Sequence, residues 1–534
     1  MKPRNLTQLA RRWQGKLACA ALLAGACAAQ PALASDGQLD PTFGAGGRVY
    51  LGWDADAGNV AYAVAIAVLA PSDGSVLLVG NATDAGAGNS GVNAVAVAKL
   101  TPAGQFDTSF GDVATPGQMK IHGLGNFPYS GRITAHGAVL RPDGKIVIVG
   151  NTYYPEQARS LATVWRVTAD GALDTTFGSG GSTSIDRGQI DQYDAAFGVA
   201  VVHGVKGTTY DALEGRIVVA GSYDFDHSLV VAQSWIFELD PNGAPVPNGT
   251  DGSKGQNTYD WDVTDCSDGG SYYHDQTFVA LRFLYVPETD TLRFFAAGDC
   301  LPRPGTSVPF VPYIAAVDAN LDLVGSFGNN DNGISEISFN NMAQSYPNSY
   351  VSSLDVDPAG RIIVYTGYYF AADGRTQVIE GGLDSAGQFQ RAWSNGGVTA
   401  FPVGSVGTQA NAILIRPNHG EYFLGNDDII AGRFDDGPCQ PGVVCGLQGA
   451  HFLAFADYFG PGVQFCGSSA GLCHYEFNNP SDEGAYAASL TEGNKVLLAG
   501  YVTFADGHTD FAVIRLQGDQ VFFDGFGDAT HDFR

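Results

Sequence analysis

Gly37–Val49 reads GQLDPTFGAGGRV, and the chain keeps returning to it. Gly104–Gly111 reads GQFDTSFG, and Gly171–Gly181 reads GALDTTFGSGG. Weaker copies stand at Leu321–Gly328 (LDLVGSFG), Gln388–Gly397 (QFQRAWSNGG), Ala456–Gly460 (ADYFG) and Phe523–Gly527 (FDGFG). The spacing is regular. Phe43 to Phe110 is 67 residues, and Phe110 to Phe177 is 67 again. Phe177 to Phe327 is 150, two lengthened periods with the middle marker lost, and the steps through Trp393 and Phe459 to Phe526 are 66, 66 and 67. A fixed long period is the signature of a solenoid, propeller or array.

Each period reads alike. A short strand such as Arg48–Leu51 follows the marker, and then comes a hairpin. In Ala135–Gly150, AHGAVLRPDGKIVIVG, apolar residues lead into Pro142-Asp143-Gly144, where Pro presets φ and Gly accepts a positive one. The β-branched run Ile146–Val149 follows, and a last strand, Leu161–Val167, runs into the next marker. The hairpin recurs at 64–80, 198–221, 279–298, 351–367, 412–432 and 487–500. The last strand recurs at 92–100, 230–239, 313–317, 378–383, 452–456 and 511–516. Four strands per unit over seven units predicts an all-β, seven-bladed β-propeller of ~67-residue repeats. The blades fall at about 36–103, 104–170, 171–243, 244–320, 321–387, 388–453 and 454–534. The 71 glycines punctuate apolar strands instead of forming tracts, and no stretch has a capped 3.6-residue period, so very little helix is expected.

Residues 1–34 read as a secretory signal peptide, and 35–534 as the mature propeller. Lys2, Arg4, Arg11, Arg12 and Lys16 precede the apolar run Leu17–Ala29, and Ala32-Leu33-Ala34 is a small-x-small cleavage site. Arg11-Arg12 lacks the apolar pair of a twin-arginine signal, and Cys27 lacks the upstream Leu of a lipidated cysteine. No later segment offers the ~20 apolar residues of a membrane span. The expected location is therefore periplasmic, secreted or cell-surface, with no transmembrane anchor and a monomeric state. The chain carries 28 basic and 55 acidic residues. Without the five basic residues of the leader the balance is 23 against 55, or −32. Such a surplus excludes nucleic acid, which needs Lys and Arg against its phosphates, and it suits basic partners or divalent cations.

Six of the eight cysteines follow the cleavage site: Cys266, Cys300, Cys439, Cys445, Cys466 and Cys473. An even number in an oxidising compartment predicts disulfides, here as the local pairs Cys266–Cys300, Cys439–Cys445 and Cys466–Cys473 among fifteen pairings. Metal binding is the weaker reading, because there is no CxxC pair and only His474 adjoins a cysteine.

LDPTFGAGG, FDTSFG and LDTTFGSGG, each paired with a hairpin like RPDGKIVIVG, resemble the bacterial delta-60 repeat family of β-propeller-like proteins. The resemblance spans nearly all of residues 36–527 and is degenerate from the fourth to the sixth period. It implies a propeller-like fold and export, and it brings no catalytic residues with it.

Each chemical candidate has a structural competitor. Asp40, Asp107 and Asp174 of the marker are candidate metal or catalytic carboxylates, but their recurrence points to an Asx turn closed on the N–H two residues on, with the marker Phe as an anchor between blades. Asp54–Asn59 and Asn329–Gly333 are partial calcium loops without the closing Glu, so ordinary acidic turns explain them better. Tyr272, Tyr273, His274 and Asp275, near Trp261, Asp262 and Asp265, offer acid–base groups in what otherwise reads as a polar loop. Gly467–Gly471 spells G-x-S-x-G but lacks the strand-turn-helix setting of a nucleophile elbow. The irregular stretches 242–276, 419–428 and 437–449 read as loop insertions, where binding surfaces tend to lie. The sequence thus points to a non-enzymatic binding or scaffold propeller that takes protein or glycan on a loop face or in its channel, with no cofactor. A secreted or periplasmic hydrolase or lyase on glycan or peptide, and a calcium-stabilised surface protein, are the alternatives.

Overall fold

In the computed structural model the described residues are 37–53, 62–83, 93–122, 132–154, 157–186, 193–224, 232–246, 256–259, 275–301, 311–328, 332–337, 349–358, 360–371, 375–389, 398–401, 407–416, 427–435, 451–457, 472–477 and 482–518. The expected signal peptide, residues 1–34, lies outside them. They form a β-propeller with almost no helix among these residues, the 3-10 segment Asp211–Leu213 being an exception.

The second unit shows the plan. Inner strand Arg132–Leu140 turns back through Pro142–Gly144 into Ile146–Tyr154, which pairs in turn with Arg159–Val167. The outermost strand, Ser182–Ile185, follows the next marker and pairs with Arg159–Val167. All three short strands that follow well-kept markers do this. Gln118–Ile121 pairs back onto Asn93–Leu100, and Arg48–Leu51 pairs onto Thr509–Leu516 at the other end of the chain. The sheets are therefore offset by one strand from the repeat, which corrects the blade boundaries expected from the markers. A marker lies between the third and fourth strands of a sheet, not at its edge.

The inner strands are Ala63–Leu69, Arg132–Leu140, Tyr193–Val201, Asp275–Val286, Ser349–Val356, Gly407–Arg416 and Asp482–Leu490. Each packs beside the next, and the last packs beside the first, so they enclose a channel. The hydrogen-bonded sheets are not seven separate four-stranded ones, as the repeat predicts. Three have four strands, two have eight, and Gly111–Asp112 with Thr115–Pro116 makes a small ribbon. Each eight-stranded sheet is two four-strand units joined through one parallel residue pair, Ser160 with Tyr193 in the first and Thr376 with Gly407 in the second.

The core lies between units instead of within them. Phe110 is buried among Val79 and Val97 of one unit and Ile146 and Ile148 of the next. Phe43 joins Leu78 and Leu100 to Leu497 and Val513 across the closure. Sheets packed face to face bury both surfaces, which is why the second and third strands read as unbroken apolar runs instead of alternating ones.

Candidate functional site

The marker residues come first, because the sequence offered them as chemistry. Asp40 Oδ1 accepts from Thr42 N at 3.0 Å and Thr42 Oγ1 at 2.6 Å. Asp107 and Asp174 repeat this with Ser109 and Thr176. These are the expected Asx turns. The second carboxylate oxygen does more than the sequence suggested. Asp174 Oδ2 accepts from Arg166 Nε at 2.7 Å and Lys145 Nζ at 2.8 Å, and Asp40 Oδ2 accepts from Arg515 Nε at 2.8 Å and Lys495 Nζ at 2.7 Å. Burial pushes both carboxyls up, but the hydrogen bonds from Lys and Thr and the Arg charge outweigh it and hold them well below the ordinary range. Each Arg also lies over its marker Phe and donates to a turn carbonyl of the following unit, Arg515 to Pro102 and Arg166 to Pro241. The marker Gly N–H does likewise: Gly44 donates to Ala103 O, Gly111 to Asp170 O and Gly178 to Asn242 O, at 2.7–2.9 Å. The marker is thus a buried joint between consecutive units.

The third unit has lost the marker Asp, and Val246 stands in its place. There Glu238 occupies the position of Arg166 and pairs with Arg216, the counterpart of Lys145, at 2.6 Å. The charges exchange strands and the buried pair survives.

The channel is where side chains are free to differ. Each inner strand slips register against its neighbour once, and one residue bulges: Ile66, His136, Phe197, Val279, Ser352, Asn411 and Tyr486. A bulge re-aims a side chain. All these residues are half-buried or exposed and line a cavity of about 430 Å³, while the residue before each one is buried. The glycine closing each hairpin is the counterpart of the bulge. At Gly150 a Cβ would lie 1.8 Å from Thr134 O, and the same contact is 2.0 Å at Gly80 and 1.9 Å at Gly500. The signal was present in the sequence as a small-x-small triplet, Ala65-Ile66-Ala67 or Ala485-Tyr486-Ala487, paired with that Gly.

Around the channel, His136 Nε2 lies 2.9 Å from Asn151 Oδ1, and its ring lies 4.8 Å from that of Phe197. Burial lowers its pKa, disfavouring the charged form. Asn411 Nδ2 donates to Ala485 O at 2.7 Å. Tyr486 packs on Tyr501, whose hydroxyl accepts from Arg433 and donates to Asp482 at 2.9 Å. Arg282, on the channel wall, faces Asp355 at 3.4 Å.

Of the other candidates, Trp261, Asp262, Asp265, Tyr272, Tyr273 and His274, the Gly467–Gly471 loop, Asp54–Asn59 and residues 329–331 lie outside the described residues. Asp275 opens an inner strand. Cys300 and Cys473 are buried, on Thr291–Leu301 and Leu472–Tyr475, while Cys266, Cys439, Cys445 and Cys466 fall outside. Among the described residues no group of three or more His, Cys, Asp or Glu is placed to hold a metal, and no helix is long and apolar enough to cross a membrane.

A family model described as "Domain of unknown function (DUF5122) beta-propeller" matches residues 72–110 and 141–177. Each match runs from a hairpin turn to a marker Phe. No curated protein matches. Among solved structures, the chain is similar to a protein of unknown function from Dyadobacter fermentans (11% identity, TM-score 0.40, 88% of this chain and 97% of that one). It is also similar to the β-propeller domain of the Trilobed protease from Pyrococcus furiosus (8%, 0.35, 88% and 99%). A third is a Trypanosoma rangeli sialidase mutant displaying trans-sialidase activity (10%, 0.37, 90% of this chain but 60% of that one). At such identities and TM-scores none of these proteins' properties transfers to this chain. The matched hairpin-and-marker repeat and the closed circle of sheets together make it a β-propeller protein.

Proposed function

We propose that this is an exported, non-enzymatic binding or scaffold protein of the delta-60 repeat type, and that its ligand, a protein or a glycan, engages the central channel. Counting each four-strand unit as a blade gives seven. A cleaved leader ending near Ala34, a monomeric state and local disulfides Cys266–Cys300, Cys439–Cys445 and Cys466–Cys473 complete this reading. Cys300 and Cys473 are buried, which is the setting such cysteines take.

The observation that carries the proposal is the bulge ring. Its backbone recurs in every unit, but its side chains are all different. Folding needs the bulge and its opposing Gly; it does not need Phe at one position and Asn at another. Residues that differ on an identical, accessible scaffold are what a recognition surface requires.

Capture of the ligand from the native exported fraction, by wild type and by a Ser352→Trp variant that fills the channel, tests this. Capture by wild type that the variant loses supports the channel. Equal capture by both, with both folded, removes the channel as the site.

A further inference from the structure

The bulge ring divides into two arcs. Ile66, His136, Phe197 and Val279 follow one another on consecutive inner strands, and Ser352, Asn411 and Tyr486 complete the circle. The first arc holds two aliphatic side chains and two rings 4.8 Å apart, the phenyl of Phe197 and the imidazole of His136, whose Nε2 is engaged by Asn151. The second presents a hydroxyl, an amide and a phenol, each able both to donate and to accept. Asn411 already spends its amide N–H on Ala485 O, which leaves its side-chain carbonyl available as an acceptor.

No bulged position carries a formal charge. The arginine on the wall, Arg282, faces Asp355. An ion entering this ring would lose hydration with no counter-charge to replace it. A group that both donates and accepts, matching Ser, Asn and Tyr, is a hydroxyl. A neutral molecule with hydroxyls along one edge and an apolar C–H face on the other is a pyranose. About 430 Å³ is at the small end of the range for ligand pockets, roughly 300–1,000 Å³, and suits one or two such rings better than a folded partner.

We propose that the channel binds a neutral hexose unit of a glycan, its C–H face on Phe197 and His136 and its hydroxyls on Ser352, Asn411 and Tyr486. This rests on the reading of the channel as the binding site and assigns its ligand class.

Calorimetric titration of the mature full chain with neutral glucose, galactose and mannose trisaccharides, with tri-galacturonate and with tri-alanine tests it. At least one neutral trisaccharide is expected to bind, and tri-galacturonate and tri-alanine at least about tenfold more weakly, as an uncompensated charge or an unmatched amide edge requires. Tyr486→Phe and Ser352→Ala, which each remove one hydroxyl, should weaken the sugar by about three- to tenfold. Phe197→Leu should also weaken it, and Val113→Ala, on a fully exposed turn, should leave it unchanged. Equal melting temperatures exclude a folding defect. The assignment is overturned if no neutral trisaccharide binds, if the acidic sugar or the peptide binds as tightly, or if the hydroxyl deletions have no effect. If Ser352→Trp still abolishes capture of the native ligand in that case, only the saccharide assignment fails. If capture is also unaffected, the channel reading fails with it.

Discussion

The marker joints and the bulge ring both recur around the same circle, and they treat side chains in opposite ways. At the Asp40 and Asp174 joints the residues are held alike: Asp, Arg and Phe are buried together and a Lys donates to the same carboxylate, while Asp107 keeps, among the described residues, Lys99 alone as its ion-pair partner. In the third unit, where the Asp is lost, the charges exchange places so that a pair remains, Glu238 with Arg216. At the bulges only the backbone is held, and every side chain differs. The contrast follows from burial. A lone charge at a joint would be desolvated and uncompensated, which is far costlier than the net value of the pair. A bulged residue faces a solvated channel, where no buried charge depends on its side chain.

The sharpest way to break that comparison is at a joint. Asp174→Val leaves Arg166 buried without its carboxylate and should cost about 3–5 kcal/mol, read by denaturant unfolding. Adding Arg166→Glu reproduces the third unit's arrangement, with Lys145 as partner, and should recover most of that loss. A double variant no more stable than Asp174→Val would show that the swap at Glu238 is not a compensation. Next in size is the bulge scaffold. Gly150→Ala forces a Cβ against Thr134 O and should cost about 1–3 kcal/mol, while the same change at the exposed Gly493 should be nearly neutral.

A third test uses pH. Asn81 clamps the next inner strand twice, its amide donating to Ala135 O and accepting from Ala135 N. At the matching place Asp299 accepts from Val351 N at 2.8 Å, and burial raises its pKa to about 8. The folded state then holds a proton that the unfolded state releases near 3.8, so this group's contribution to stability falls as pH rises from about 4 to 8. Asp40 and Asp174 act with the opposite sign: their depressed values contribute stability above pH 4 that is lost on further acidification. Asp299→Asn should flatten the upper limb and stabilise by about 1–3 kcal/mol at pH 8. An unchanged pH profile would remove the role assigned to Asp299. The smallest effect belongs to the ring itself. Ser352→Ala should change stability little, by about 0.5 kcal/mol, since its side chain belongs to no joint and to no core cluster. A large loss there would mean that the ring is structural after all.

The strands and the Asx turns were legible because both are local: β-branched runs end at Pro-Asp-Gly, and the marker Asp reaches only two residues on. The offset between repeat and sheet was not, because the partner of Arg48–Leu51 lies at the far end of the chain. The Arg166–Asp174 and Glu238–Arg216 pairs were hidden for another reason. Neither Arg nor Glu belongs to the marker motif, and only the sheet register brings them to one place. The bulges left a trace, the small-x-small triplets, but a slip in alternation over three residues looks like ordinary variation until several strands show it together. Much of the acid–base cluster around His274 lies outside the described residues, so the chemistry suggested by its sequence has no geometry to be compared with.

The pairing of Arg48–Leu51 with Thr509–Leu516 also has a consequence in time. Arg515 and Asp40, joined at the closure, are 475 residues apart in the chain. The strand Arg48–Leu51 must wait, with its backbone edge open, until the last strands have been synthesised. The other units can assemble from neighbours as they appear, but the circle closes in one long-range step, the slowest kind of contact to form. Until then the polypeptide is an open chain of sheets with a free edge at each end, and that edge is the part most exposed to pairing with the wrong partner.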